Sequence, residues 1–418
     1  MIENREDAER VLLVIVHFKS GKRQWSVEED LREMMELIIA CGGNVVEQLV
    51  CSVAQPTASY LISETKVKDI ADMCGISLID TVVFSHDLKG SQQRNLENVI
   101  KTKTIDRTQL ILDIFAKHAS SQEGKMQVEL AQLQYLLPRL VGKGIELSRL
   151  GGGIGTLGPG ETKLEVDRRR IDRRIARLKR NLDEVASQRA LKRKQRKDKG
   201  VPALSLVGYT NAGKSTLLNA LTQAGQVTRN GLFTTLDSLS RQLVLPNHQK
   251  VVLSDTVGFM HDLPHHLIEA FHATLEEVQE SDILLHVIDV THPYFLHLKE
   301  SVEEVLKELE SYDKAIINVL NKIDKLEDKE WLKGLEKNFD NTVCISAKTG
   351  ENISGLLEKI SGMLSSQIAE IDVEIPITRM DLVNLAHEEG EVLSVKYYAE
   401  TINIRAAVPI YLVGKFYK

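Results

Sequence analysis

Apolar and polar positions change period several times along the chain, and each change marks a different kind of element. An apolar run at 11–18, interrupted only by His17, predicts a buried strand. Residues 44–48 and 81–85 also read as strands, whereas 29–41, 66–74 and 95–101 place apolar residues at helical spacing. Strands alternating with helices predict an N-terminal α/β domain over residues 1–120. The spacing then lengthens. Met126, Leu130, Leu133, Leu137 and Leu140 form one coiled-coil-like seam, with Pro138 as a local kink. Leu164, Ile171, Ile175, Leu178, Leu182 and Val185 form a second. Between them lie Gly142-Lys143-Gly144 and a glycine-rich run at 151–160, so residues 121–199 predict an antiparallel helical hairpin with a glycine-rich tip.

Alternation returns after Pro202. Strand-like runs at 203–207, 251–254, 283–290, 315–320 and 342–345 are separated by helical stretches, which predicts a mainly parallel sheet covered on both faces over residues 200–370. A helix near 380–389 and strands at 392–398 and 402–408 predict a small C-terminal α/β domain over 371–418. The expected fold class is α/β throughout, interrupted by the hairpin.

Composition narrows the function. The chain has 418 residues, 43% of them hydrophobic and 27% charged, as globular proteins do. No apolar run is long enough to span a bilayer, and an acidic lead before residue 11 argues against a secretory signal. Cys41, Cys51, Cys74 and Cys344 lack metal-ligand or redox spacing and fit reduced thiols, so a cytoplasmic location is expected. The net charge of −6 conceals 15 Lys/Arg against 5 Asp/Glu within residues 167–200. One concentrated basic segment in an acidic protein points to a polyanion met at one place.

The candidate chemistry lies in five motifs. Gly208-Tyr209-Thr210-Asn211-Ala212-Gly213-Lys214-Ser215 follows a strand and opens a helix at Thr216, the setting a phosphate loop requires. Its glycines admit phosphate oxygens to backbone N–H groups, Lys214 reaches the terminal phosphates and Ser215 offers a hydroxyl to Mg2+. In Phe233-Thr234-Thr235-Leu236-Asp237, Thr235 is the candidate for a second magnesium hydroxyl, with Thr234 as its neighbour. Asp255-Thr256-Val257-Gly258 ends a strand, placing a carboxylate in the magnesium shell and a glycine N–H at the γ-phosphate. Asn321-Lys322-Ile323-Asp324 supplies a carboxylate that accepts from both guanine donors, a pairing adenine lacks. Ser346-Ala347-Lys348 completes the base pocket. The expected catalytic residues are Lys214, Thr235 and Gly258, and the expected metal ligands are Ser215, Thr235 and Asp255. Phe259 stands where many GTPases keep a water-orienting Gln. Its ring cannot orient a water, so hydrolysis is expected to be slow in the isolated protein; a compatible reading is that it packs against a neighbouring helix while another residue positions the water. His261, His265 and His266 follow closely and read as loop residues.

Beyond these motifs the chain resembles the HflX family of ribosome-associated GTPases. The resemblance rests on residues 148–165 (SRLGGGIGTLGPGETKLE), on Asp167-Arg168-Arg169-Arg170-Ile171, on residues 123–133, and on Asp255–Phe259 followed by Asp262-Leu263-Pro264-His265. It implies a protein that hydrolyses GTP to GDP with Mg2+, binds the large (50S) ribosomal subunit and its rRNA, and splits stalled or idle ribosomes under stress. Slow intrinsic turnover stimulated by the ribosome and a monomeric free state are expected with it. Tyr135 is the one aromatic of the hairpin, so RNA contacts there are expected to read shape and phosphate rather than bases. The alternatives are a GTP-gated RNA or assembly scaffold without splitting activity, and an NTP-driven RNA remodelling enzyme.

Overall fold

The structure is a computed structural model that describes residues 8–19, 25–140, 163–222, 239–261, 272–365 and 368–417. The chain divides into two compact units. Of the described residues, one unit holds those from 8 to 185 with His272, and the other those from 186 to 261 and from 273 to 417.

In the first unit β1 (Arg10–Phe18), β2 (Asn44–Val53), β3 (Thr81–Phe84) and β4 (Lys103–Asp106) form a parallel sheet in the order β2-β1-β3-β4. The apolar run of β1 reflects its central place. Leu12, Val14 and Val16 pack with Val67, Ile70 and Leu96 on one face, and Val11, Leu13 and Ile15, which point the other way, are equally buried. β4 is absent from the sequence reading because its four residues, three of them polar, are too short to show a period. It ends at Asp106, whose carboxylate caps the helix Arg107–His118 by accepting from Gln109 N at 2.8 Å.

Asp106 also fixes the first arm of the hairpin. The carboxylate is fully buried; it accepts from Leu88 N at 3.0 Å, from the Tyr135 hydroxyl at 2.8 Å and from Arg139 at 2.9 Å. The Arg139 guanidinium lies 3.4 Å from the centre of the Tyr135 ring. Burial pushes the Asp106 carboxyl above its ordinary range, and the N–H donors and Arg139 pull it back. The helix Gln122–Leu140 therefore buries Gly124, Gln127, Val128, Ala131 and Tyr135, while Met126, Leu133, Leu137 and Leu140 of the expected seam are half-buried. Polar anchors that hydrophobic periodicity does not register turn this helix. The same geometry makes Tyr135 a core residue, closed to a stacking base, in keeping with the expectation that the hairpin does not read bases.

The second arm, the helix Lys163–Asp198, runs antiparallel to the first, as expected. Arg174 forms two 2.6 Å hydrogen bonds to Glu129, and Asn181 reaches Met126. Leu178 is its buried seam residue; Ile171, Ile175, Leu182 and Val185 are half-buried. The tip at 141–162, with its glycine-rich run, lies outside the described residues.

In the second unit β5 (Ala203–Val207), β6 (Leu239–Val244), β7 (Lys250–Asp255), β8 (Ile283–Asp289), β9 (Ala315–Asn321) and β10 (Thr342–Cys344) form a sheet in the order β10-β9-β8-β5-β7-β6. All pairs are parallel except β6 with β7, the mainly parallel sheet the pattern predicts. β6 escapes the sequence reading because it is an edge strand with most positions in water. A third sheet, β11 (Ile368–Pro376), β12 (Glu391–Tyr397) and β13 (Thr401–Pro409), is antiparallel in the order β11-β13-β12. It shares a core with the helices Met380–Glu389 and Ile410–Phe416. β11 is a further strand beyond those expected, although Ile371, Val373 and Ile375 alternate with exposed carboxylates in plain period two.

Arg139→Met should leave the buried Asp106 carboxylate without its cation and cost about 3 kcal/mol. Urea denaturation followed by the fluorescence of buried Trp25 measures it. A carboxyl whose folded pKa is raised favours folding at low pH and loses that contribution as pH rises through the folded value. The deficit should therefore shrink as pH falls, and Asp106→Asn in the same background should recover part of it.

Candidate functional site

Five parallel strands deliver their C-terminal ends to one edge of the second sheet, where the motif loops gather. The loop after β5 turns tightly enough to need two glycines. Gly208 (φ +149°) leaves no room for a Cβ, which would sit 2.3 Å from the Val287 carbonyl oxygen. A Cβ on Gly213 (φ +100°) would meet the Asn321 amide at 2.3 Å. The helix Lys214–Thr222 follows at once, aiming its free N–H groups along the loop.

Lys214 is buried and donates to the Gly208 carbonyl at 3.0 Å and the Tyr209 carbonyl at 2.9 Å. Burial pushes its ammonium down to about 8, while the Asp255 carboxylate pulls it back up. Ser215 donates its hydroxyl proton to Asp255 at 2.6 Å, so the first helical turn and the end of β7 already touch. A hydroxyl and a carboxylate oxygen at this separation are a donor pair that suits a hard divalent cation. Thr256 spends its hydroxyl on the Leu206 carbonyl at 2.6 Å and ties β7 to β5. A Cβ on Gly258 would lie 2.8 Å from Thr210 Cγ2 and 3.1 Å from Lys214 Nζ, so only glycine fits this close to the loop.

Phe259 is buried, with 3% of its surface exposed. Its backbone forms a parallel bridge with Tyr209: Phe259 N donates to the Gly208 carbonyl at 3.1 Å and Thr210 N to the Phe259 carbonyl at 2.9 Å. The Tyr209 hydroxyl accepts from His261 N at 3.1 Å. Residues 257–261 are thus stitched to the phosphate loop by main chain, and the phenylalanine ring is buried among its neighbours.

At the other end of the edge Asn321 is buried and joins two loops. Its Nδ2 donates to the Ala212 carbonyl at 2.8 Å, and its Oδ1 accepts from Ala347 N at 2.9 Å. Ser346 donates to Asp324 Oδ1 at 2.6 Å and fixes the rotamer of that exposed carboxylate. Ile323 belongs to the apolar core, and Lys348 is exposed. Sequence reasoning missed Asp289. It closes β8 and pairs with Lys322 at 2.6 Å, while Lys322 Nζ donates to the Asn211 carbonyl at 2.7 Å and bridges β9 to the phosphate loop. Its signal is only an acidic residue at the C-terminal end of a buried strand. Thr235, with Phe233, Thr234, Leu236 and Asp237, lies outside the described residues, as do His265 and His266. Among the described residues no cluster of three or more His, Cys, Asp and Glu could hold a metal. No described helix is long and apolar enough to cross a membrane.

Comparison with known proteins covers nearly the whole chain. Residues 28–116 match a "GTP-binding GTPase N-terminal" family, 118–196 a "GTP-binding GTPase Middle Region", 203–322 a "50S ribosome-binding GTPase" and 332–400 an "HflX C-terminal domain". A GTPase HflX of Caldanaerobacter subterraneus is 43% identical over 98% of this chain and 93% of its own. That of Escherichia coli is 41% identical over 90% and 88%. Among solved structures, a GTP-binding protein of Sulfolobus solfataricus in complex with GDP is 26% identical over 85% of this chain and 99% of its own, with a TM-score of 0.44.

The depressed Lys214 pKa makes phosphate binding pH-dependent. Below about 8 the ammonium is charged before and after binding, whereas above it a proton must be taken up with the ligand. Affinity for a nucleoside triphosphate should therefore fall as pH rises from 8 to 9.5. Calorimetry at pH 9 in two buffers of different ionisation enthalpy should show that uptake, and Lys214→Arg should abolish the pH dependence.

Proposed function

Because the chain belongs to the HflX family of GTPases, we propose that its GTP cycle serves the large ribosomal subunit and ends in separation of idle or stalled ribosomes. The chain hydrolyses GTP to GDP and phosphate. The observation that carries the reading is the single edge on which Lys214, Ser215, Asp255, Gly258, Asn321 and Asp324 converge. In this reading segments 1–120, 121–199, 200–370 and 371–418 act as docking domain, basic hairpin, GTPase domain and C-terminal domain.

Each residue has a physical task. The loop N–H groups and the helix N-terminus cradle the phosphates. Lys214, already desolvated, exchanges its two carbonyl partners for β- and γ-phosphate oxygens, where its charge counts for more than in water. Ser215 and Asp255, with Thr235 expected to join them, would hold a Mg2+ ion that neutralises phosphate charge when bound. Gly258 offers its N–H to the γ-phosphate. Asp324, oriented by Ser346, accepts from the two guanine donors. Adenine in the same place leaves the carboxylate facing a carbon-bound hydrogen, which supports selectivity for GTP.

The buried ring of Phe259 leaves the orientation of the attacking water to another group. That supports slow turnover alone and acceleration when the ribosome supplies or orders the missing part. The fifteen cations within residues 167–200, apart from those held by carboxylates such as Arg174, Arg193 and Lys197, fit rRNA phosphates, with the steep salt dependence that counterion release imposes.

Addition of 50S subunits should raise GTP turnover by at least about tenfold, and Lys214→Ala should lower the stimulated rate by about a hundredfold or more. Equal rates with and without subunits would refute ribosomal triggering. Light scattering of 70S particles with GTP separates splitting, which lowers the signal, from scaffold-like binding, which does not. Phe259→Gln should leave intrinsic hydrolysis no faster and cost about 1–3 kcal/mol in thermal stability, because it buries an amide in the packing site.

A further inference from the structure

The second unit holds a cavity of about 510 Å3 away from the nucleotide edge. It opens between the last turns of the long basic helix, strands β6 and β7, and the helices Met380–Glu389 and Ile410–Phe416. Lys192, Arg196 and Lys199 enter from one side at helical spacing, Lys250 and Lys415 from the others. Glu389 is the one carboxylate lining it, and Lys250 already neutralises that group at 2.7 Å. Among the described residues the side chains of Lys192, Arg196, Lys199 and Lys415 have no ion pair or hydrogen bond. Four cations without a carboxylate partner therefore share one open concavity, Arg196 half-buried and Lys192, Lys199 and Lys415 exposed, and their joint field favours a multivalent counter-charge.

The wall is built. The long helix ends in a two-bond cap: Gly200 (φ +61°) N donates to the Lys197 carbonyl at 2.8 Å, and Val201 N to the Arg196 carbonyl at 3.3 Å. A Cβ on Gly200 would lie 2.3 Å from Tyr411 Cδ1, so the tyrosine ring rests directly on the cap. Tyr411, Leu385 and Leu412 add an apolar part to the lining. Arg193 and Lys197 pair instead with Glu276 and Glu280, which fixes the azimuth of the helix and leaves the cavity-facing cations free of those carboxylates.

We propose that this cavity binds a small polyphosphorylated anion, its phosphates held by Lys192, Arg196, Lys199 and Lys415. The convergence of four charges on one concavity, from the end of the basic helix and from the helix Ile410–Phe416, suits a compact multivalent ligand. A strand of RNA spaces its charges one per nucleotide along an open track. The volume lies within the range of small-ligand sites, and Tyr411 offers a face to any ring the anion carries. Occupancy ties the end of the basic helix to the C-terminal helix Ile410–Phe416.

Titration of the full chain with inorganic tripolyphosphate, in saturating GDP to fill the nucleotide site, tests the assignment by calorimetry. Wild-type protein should bind one equivalent, and Arg196→Glu with Lys415→Glu should weaken it by about tenfold or more. The milder pair Lys192→Gln with Lys415→Gln, checked by thermal unfolding, should weaken it in the same direction. Arg168→Glu with Arg173→Glu changes the same charge on the same helix outside the cavity and should leave affinity unchanged. No binding beyond the nucleotide site, or equal losses in both reversed pairs, would overturn the proposal. Binding of a twelve-nucleotide RNA without tripolyphosphate binding would overturn it too and assign the cavity to RNA.

Discussion

The carboxamide of Asn321 is the constraint on which the nucleotide edge depends. One side chain donates to the phosphate loop through Ala212 and accepts from the last motif loop through Ala347. Both partners are backbone groups, so the amide fixes chain paths rather than side-chain choices. It also explains Gly213, because the approach of the amide forbids a Cβ there. Lys322 adds a second strut from the same strand, reaching Asn211 and Asp289. The parallel sheet supplies the geometry in which such struts are short, since every loop leaves from the same edge.

Hydrophobic periodicity made most of this architecture legible. Central strands such as β1 and β8, buried on both faces, announce themselves as apolar runs. β4 and β6 do not, because a four-residue strand and a polar edge strand carry too little period. Burial in the helix Gln122–Leu140 departs from the seam pattern for a different reason. Its orientation is decided by Tyr135 and Arg139 reaching one buried carboxylate, and polar anchors leave no trace in a hydrophobic pattern.

The site was legible where chemistry demands a residue type in a local setting, as for Lys214 or Asp324. It was illegible where the demand is long-range: Asp289 matters only because Lys322 and Asn211 arrive beside it. Charge followed the same rule. The sequence shows that residues 167–200 are basic, but only the fold divides those cations. Arg174, Arg193 and Lys197 are committed to carboxylates, while Lys192, Arg196 and Lys199 line a shared cavity.

The bridge between Tyr209 and Phe259 has a consequence for how this chain can vary. Because the contact with the phosphate loop is made by main chain, the identity of residue 259 is released from the chemistry and answers to the core. Its neighbour Gly258 is held by the lack of space for even a methyl group. Two adjacent positions thus live under opposite rules: one exchanges freely among apolar side chains of similar volume, and the other admits no side chain at all.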